Sequence, residues 1–179
     1  MFPAELIQSA ETLSKHLRAA KLTLVTAESC TGGLIASLLT ELPGSSDILD
    51  RGFVTYSNEA KEACLTVPHA LIQAHGAVSE PVARTMASGA LSHSNASVSV
   101  AVTGVAGPGG GTDAKPIGLV HIASACGNVV RHREHRFGDL GRNGIRLEAA
   151  RSALMLVGEI ITDCARDPAA APTSIADGL

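Results

Sequence analysis

Residues 98–103 read Val-Ser-Val-Ala-Val-Thr, an alternation of small and β-branched residues with no charge. A strand with one face in water would carry polar groups at alternate positions, so this run predicts a strand covered on both faces. Such a strand needs helices above and below its sheet, which restricts the chain to layered α/β architectures.

The remaining segments supply those layers. Residues 4–20 set Leu6, Ile7, Ala10, Leu13 and Leu17 at helical spacing, with Glu5, Gln8, Glu11 and Lys15 outside. A β-rich run, Leu22 to Thr26, stops at Ala27-Glu28-Ser29-Cys30, and a helix pattern follows over 31–42 until Pro43-Gly44. Gly52 to Tyr56 predicts a second strand, and Asn58 is expected to cap a short helix containing Glu59, Lys61 and Cys64. Pro68 opens another helical turn, and Ser79 with Glu80 and Pro81 starts a helix running to about Ser92. Gly118 to Ser124 predicts a further strand, and the more polar Val129 to Phe137 one nearer an edge. Arg142 to about Ala165 is the closing helix. Strands alternate with helices and then pair up, so the expected class is α/β, with a mixed sheet between two helical layers. One domain is expected over 1–166, followed by a flexible tail over 167–179.

Composition narrows the function. Of 179 residues, 45% are apolar and 17% charged, which suits a packed globule and not a disordered chain. Aromatic residues are 2%, too few to stack successive bases, and a net charge of −3 without a Lys/Arg run points away from nucleic acid and membrane surfaces. No apolar run is long enough to span a bilayer, and the first residues lack a signal-peptide pattern. The four cysteines, Cys30, Cys64, Cys126 and Cys164, are far apart and form no Cys-x-x-Cys. Free thiols in a cytoplasmic protein, with no zinc site, are the simplest expectation.

Ligands in open α/β sheets bind at the carboxyl ends of strands, and three such ends are unusual here. The first carries Glu28, Ser29 and Cys30, two of them candidate nucleophiles. Thr31-Gly32-Gly33 comes next; free backbone N–H groups there could hold an anion or a developing oxyanion, or the glycines could serve close helix–strand packing. The second end carries Tyr56, with Lys61 just beyond Asn58. Lys61 would act as a base only if burial lowers its pKa, and is otherwise a solvated helix lysine; Tyr56 could pass a proton or hold the oxyanion, or be a core aromatic. The third carries Thr103, Gly104 and a loop with four glycines around Pro108 between Gly107 and Gly111, whose entropic cost suggests close ligand approach. Arg142 and Arg146, one turn apart, could clamp a phosphate or lie on the surface. The histidines carry no partner signature, and neither a Walker A motif nor a Rossmann fingerprint is present.

Five blocks in order resemble the CinA C-terminal domain family: Ala27-Glu-Ser-Cys-Thr-Gly-Gly33, Gly52-Phe-Val-Thr-Tyr-Ser-Asn-Glu-Ala-Lys61, His75-Gly-Ala-Val-Ser-Glu-Pro81, Thr103-Gly-Val-Ala-Gly-Pro108 and Lys115-Pro-x-Gly118. They cover roughly residues 5–160. The resemblance implies a three-layer α/β/α sandwich. It also implies hydrolysis of nicotinamide mononucleotide to nicotinate mononucleotide and ammonia, in pyridine-nucleotide salvage, with no metal and no cofactor. A small-molecule nucleotide substrate and a homo-oligomer, dimer or larger, are implied with it. The family's serine falls on Ser29, its lysine on Lys61 and its tyrosine on Tyr56. Substrate contacts would come from Glu28, Cys30 and the 31–33 turn, from Asn58, and from Thr103, Gly104, Ala106 and Gly107. The family's late arginine pattern is stretched here by two residues, as Gly138-Asp-Leu-Gly-Arg142-Asn-Gly-Ile-Arg146, with Arg146 matching directly and Arg142 by displacement. The chemistry expected is acyl transfer from Ser29. Three alternatives stand beside it: Cys30 as nucleophile, a general amidase, and a nucleotide-binding or regulatory module without chemistry.

Overall fold

The computed structural model describes residues 2–164; the tail expected over 167–179 lies outside them. The chain runs α1 (Ala4–Ala20), β1 (Leu24–Glu28), α2 (Leu34–Thr40), β2 (Leu49–Val54), α3 (Asn58–Leu65), α4 (His69–His75), α5 (Glu80–Ser92), β3 (Val98–Gly104), β4 (Leu119–Cys126), β5 (Val129–Arg136) and α6 (Gly141–Cys164). The strands form one sheet in the order β2-β1-β3-β4-β5. β1 is parallel to both β2 and β3, whereas β4 is antiparallel to β3 and to β5. It is the mixed sheet of an α/β/α sandwich.

Period-two alternation splits the central strands between two cores. Leu24, Val98, Val100, Val102, Val120 and Ile122 face α1, α2 and α6, while Val25, Ala27, Ala101, Ala123 and Ala125 face the layer built on α5. Every residue of β1 and β4 is buried, as expected of strands covered on both faces. α1 buries Leu6, Ala10, Leu13 and Leu17; each leucine contributes about 1.5–3 kcal/mol of transfer free energy.

Several boundaries differ from the sequence reading, for local reasons. β1 extends through Ala27 and Glu28, which pair with Ala101 and Val102 on one side and Phe53 and Val54 on the other. Tertiary pairing outweighs their weak strand propensity. α2 starts at Leu34, not Thr31, because Gly32 and Gly33 take φ of +61° and +89°, outside the helical region. β2 begins at Leu49 and ends before Tyr56; as an edge strand it tolerates Asp50 and Arg51 in water. The α3 cap is Ser57, whose Oγ accepts from Ala60 N–H at 3.0 Å, so Asn58 is the first helical residue instead. The expectation of four free thiols is corrected: Cys126 at the end of β4 and Cys164 at the end of α6 are joined as a disulfide with Cα atoms 6.4 Å apart, leaving Cys30 and Cys64 free. Their separation by 38 residues hid a proximity that the sheet and the closing helix create. No helix among the described residues is long and apolar enough to cross a membrane.

The chain leaves β1 toward β2 through α2, then crosses back through α3, α4 and α5 to β3 on the other side of β1. The strand order therefore reverses between β1 and β3. A crevice outside the carboxyl ends of those two strands is where such sheets hold ligands.

Candidate active site

That crevice contains a cavity of about 290 Å³. Its floor is the turn after β1, where Ser29 N–H donates to Val102 O at 3.0 Å. Glu28 and Ser29 are successive residues, so their side chains leave the backbone in opposite directions. Glu28 turns to the α2 side, fully buried, and its carboxylate accepts from Ile35 N–H at 3.0 Å and Ala36 N–H at 2.9 Å. Ser29 turns to the α3 side, where Lys61 Nζ stands 3.0 Å from its Oγ.

Lys61 is 1% exposed. Its Nζ reaches Thr55 O at 2.8 Å and, more loosely, Tyr56 O and Ser57 O, both at 3.4 Å. Among the described residues no carboxylate forms an ion pair with it. Burial is the main cause of a Lys61 pKa held below the ordinary lysine value, opposed by the negative charge available to Cys30 and Glu59. A neutral amine has two N–H bonds and one lone pair. It can donate to Thr55 O and accept the Ser29 hydroxyl proton. The alternative of a solvated helix lysine does not fit this burial.

Cys30 also lines the cavity, but burial, with Glu28 nearby, pushes its thiol up to about 12. The thiolate, the reactive form, is therefore scarce at neutral pH. In the amidase reading that the family resemblance implies, Cys30→Ala is expected to keep ammonia release within about threefold of wild type, a steady-state measurement in which loss comparable to that of a nucleophile variant would reinstate Cys30.

Tyr56 is 60% exposed at the cavity rim and is not a core aromatic. Its hydroxyl accepts from Arg142 Nη2 at 2.8 Å, and Arg142 Nη1 donates to Gly107 O at 2.8 Å. Arg142 thus joins the β2–α3 turn to the glycine loop across the opening. Asn58, Thr103, Gly104, Ala106 and Gly107 line the cavity with them. Gly104 is required by its neighbours, since a Cβ there would lie 2.8 Å from Leu119 O.

Five expected substrate contacts fall elsewhere. Glu28 is spent on α2, and Thr31, Gly32 and Gly33 lie off the cavity. Arg146 donates twice to Thr31 O, from Nη2 at 2.6 Å and Nε at 3.2 Å, and so braces the turn instead of lining the site. The free helix amides expected there are mostly taken: Gly32 N–H bonds Ser29 O, Leu34 N–H bonds Thr31 O, and the next two bond Glu28. Glu28→Gln would replace one acceptor by an NH₂ facing a backbone N–H; we expect it to cost about 2–3 kcal/mol of stability in denaturant titration. Ala77 and Val78, in the turn between α4 and α5, were missed as lining residues. Their block stood out in sequence, but two apolar side chains announce no chemistry. Thr55 was missed as well, since it contributes a backbone carbonyl.

Known proteins are similar to this chain in sequence and in fold. A nicotinamide-nucleotide amidohydrolase, PncC, from Escherichia coli strain K12 is 45% identical over 156 residues, covering 86% of this chain and 93% of that protein. A CinA-like protein from Syntrophobacter fumaroxidans is 44% identical over 153 residues, covering 86% of this chain but 36% of its own length. The chain spans about a third of such longer curated relatives. Among solved structures, the competence/damage inducible protein CihA from Agrobacterium tumefaciens superposes with a TM-score of 0.88 at 48% identity, over 89% of this chain and 98% of that one. The family model described as the CinA C-terminal domain matches residues 6–161. With nearly its whole described length matched, the chain belongs to the CinA C-terminal domain family.

Proposed function

We propose that this chain is a nicotinamide-nucleotide amidase that hydrolyses nicotinamide mononucleotide to nicotinate mononucleotide and ammonia. The observation that carries the chemistry is the buried Lys61 amine 3.0 Å from Ser29 Oγ at the floor of the cavity in the β1–β3 crevice. The substrate assignment leans on the likeness to the E. coli amidohydrolase over nearly its full length.

In this reading neutral Lys61 accepts the Ser29 proton as Oγ attacks the carboxamide carbon. The tetrahedral oxyanion is met by the backbone N–H of Cys30, the cavity-lining residue directly after Ser29. Lys61, now charged, returns its proton to the departing ammonia, and the reverse sequence with water releases the acid. Tyr56 and Arg142 close the rim, where the guanidinium faces the nucleotide's phosphate end. Water delivered to the acyl-enzyme uses the same base, so one lysine serves both halves.

The test is ammonia release from nicotinamide mononucleotide by the purified wild-type chain, with nicotinate mononucleotide identified as co-product. Saturable binding of the nucleotide without ammonia would replace the amidase by a binding module. Turnover of other amides, with this one untouched, would keep the chemistry and change the substrate.

A further inference from the structure

The loop between β3 and β4 is not a free connection. At its base Val105 N–H donates to Leu119 O at 2.9 Å and Gly118 N–H to Val105 O at 2.8 Å, which prolongs the antiparallel ladder. Farther out Thr112 and Lys115 close a tight turn: Thr112 N–H donates to Lys115 O at 3.0 Å and Lys115 N–H to Thr112 O at 3.1 Å. One leg is tied to α6 through Arg142 and Gly107 O. The other is tied to α4, because Lys115 Nζ donates to His75 O at 2.6 Å. Between the two ties Gly109 and Gly110 line the cavity, with nothing within 4 Å of where a Cβ would stand.

His75 ends α4, so its carbonyl is one of the helix's unpaired C-terminal acceptors, and a cation there also meets the negative end of the helix dipole. The next residue accommodates the contact. Gly76 has φ of +73°, and a Cβ on it would sit 2.5 Å from Lys115 Nζ. Three consecutive carbonyls are held in this turn: His75 O by Lys115, Gly76 O by Ser79 Oγ at 2.8 Å, and Ala77 O by Thr103 Oγ1 at 2.9 Å. The turn they hold carries Ala77 and Val78 into the cavity wall.

We propose that Lys115 is a positioning residue that latches the glycine loop to the 75–79 turn and so sets two walls of the substrate site at once. It does not line the cavity and touches neither Ser29 nor Lys61. Those two are held by the turn after β1 and by α3, which the latch does not contact. Releasing it therefore loosens substrate binding and leaves the reacting pair in place. The consequence for turnover rests on the amidase reading; the consequence for the loop does not.

Lys115→Met in the full chain is expected to raise KM for nicotinamide mononucleotide about tenfold, with kcat within about threefold. Backbone hydrogen exchange over 105–118 and 75–79 should accelerate on the order of tenfold. Gly76→Ala, which crowds the ammonium and also strains a backbone held at φ of +73°, should speed exchange in the same two segments. A general loss of stability would speed exchange across the sheet and would not separate KM from kcat. Unchanged exchange in these two segments overturns the latch. Faster exchange there with KM unchanged in an active enzyme overturns its role in positioning. If wild type itself releases no ammonia, the amidase reading falls, and the exchange result still decides whether Lys115 holds the loop.

Discussion

Ser29→Ala lowers kcat for ammonia release by at least ~10³-fold and leaves KM for nicotinamide mononucleotide nearly unchanged; that is the largest effect we expect of any single substitution. The hydroxyl is the atom that would bond to the carboxamide carbon, and no other nucleophile in the cavity is equally poised. The Cys30 thiol beside it is kept protonated by its burial. The fold should tolerate the change. Among the described residues the one side-chain partner of Ser29 Oγ is Lys61, which keeps Thr55 O at 2.8 Å as an acceptor. Ser29 is 9% exposed, so removing one oxygen opens little space. Ammonia release by matched concentrations of the two proteins, with thermal unfolding as a control, makes the comparison. Wild-type turnover by a folded Ser29→Ala protein would remove the acyl-enzyme and leave an activated water as the attacking group.

Lys61→Met gives the second large effect, a fall in kcat of a similar order, because it removes the base and keeps the stem. Combined with Ser29→Ala it should cost little more than either alone, since the two act as one unit. The wild-type pH profile carries the sign. Lys61 has a folded-state pKa below its ordinary 10.5, through desolvation first. The active form is the neutral one, so kcat/KM should rise with pH through that lowered pKa and level off above it. Stability follows the same direction. Between the lowered folded pKa and 10.5 the unfolded chain binds more protons, so stability rises with pH across that window and is lost as pH falls through the folded value. A kcat/KM profile without that rising limb, or a Lys61→Met enzyme that keeps it, would assign the base elsewhere.

Both effects depend on placing an amine out of water beside a hydroxyl, and the chain achieves this through sheet parity. Glu28 and Ser29 are neighbours with opposite directions. One buries its carboxylate against α2, and the other meets α3. Had both faced the same side, a carboxylate next to Lys61 would have kept the amine charged. The Arg146 side chain completes the separation by fastening Thr31 O from behind.

Much of this was legible in residue order alone. The uncharged run over 98–103 announces a strand covered on both faces, and the helical spacing of Leu6, Ala10, Leu13 and Leu17 announces a packing helix, because burial on a regular element leaves a period in the sequence. The family blocks around Ser29, Tyr56–Lys61 and Thr103–Pro108 are local and contiguous, so the chemistry-bearing residue types could be named without coordinates. What residue order could not supply is which atoms of those blocks face the cavity. Glu28, Arg146 and the 31–33 turn read as substrate contacts, yet the Glu28 carboxylate is taken by the α2 amides and the Arg146 guanidinium by Thr31 O, and the turn lies off the cavity. Cys126 and Cys164 read as isolated thiols until the fold joined them, and nothing in residue order paired Lys115 with His75 O. The sequence by itself determined the layers, the strand ends and the candidate residues, since these depend on periodicity and local chemistry. Only the tertiary structure decided the burial of Lys61, the direction of each side chain and the ties across the glycine loop, because these are set by contacts between segments distant in the chain, which no local pattern records.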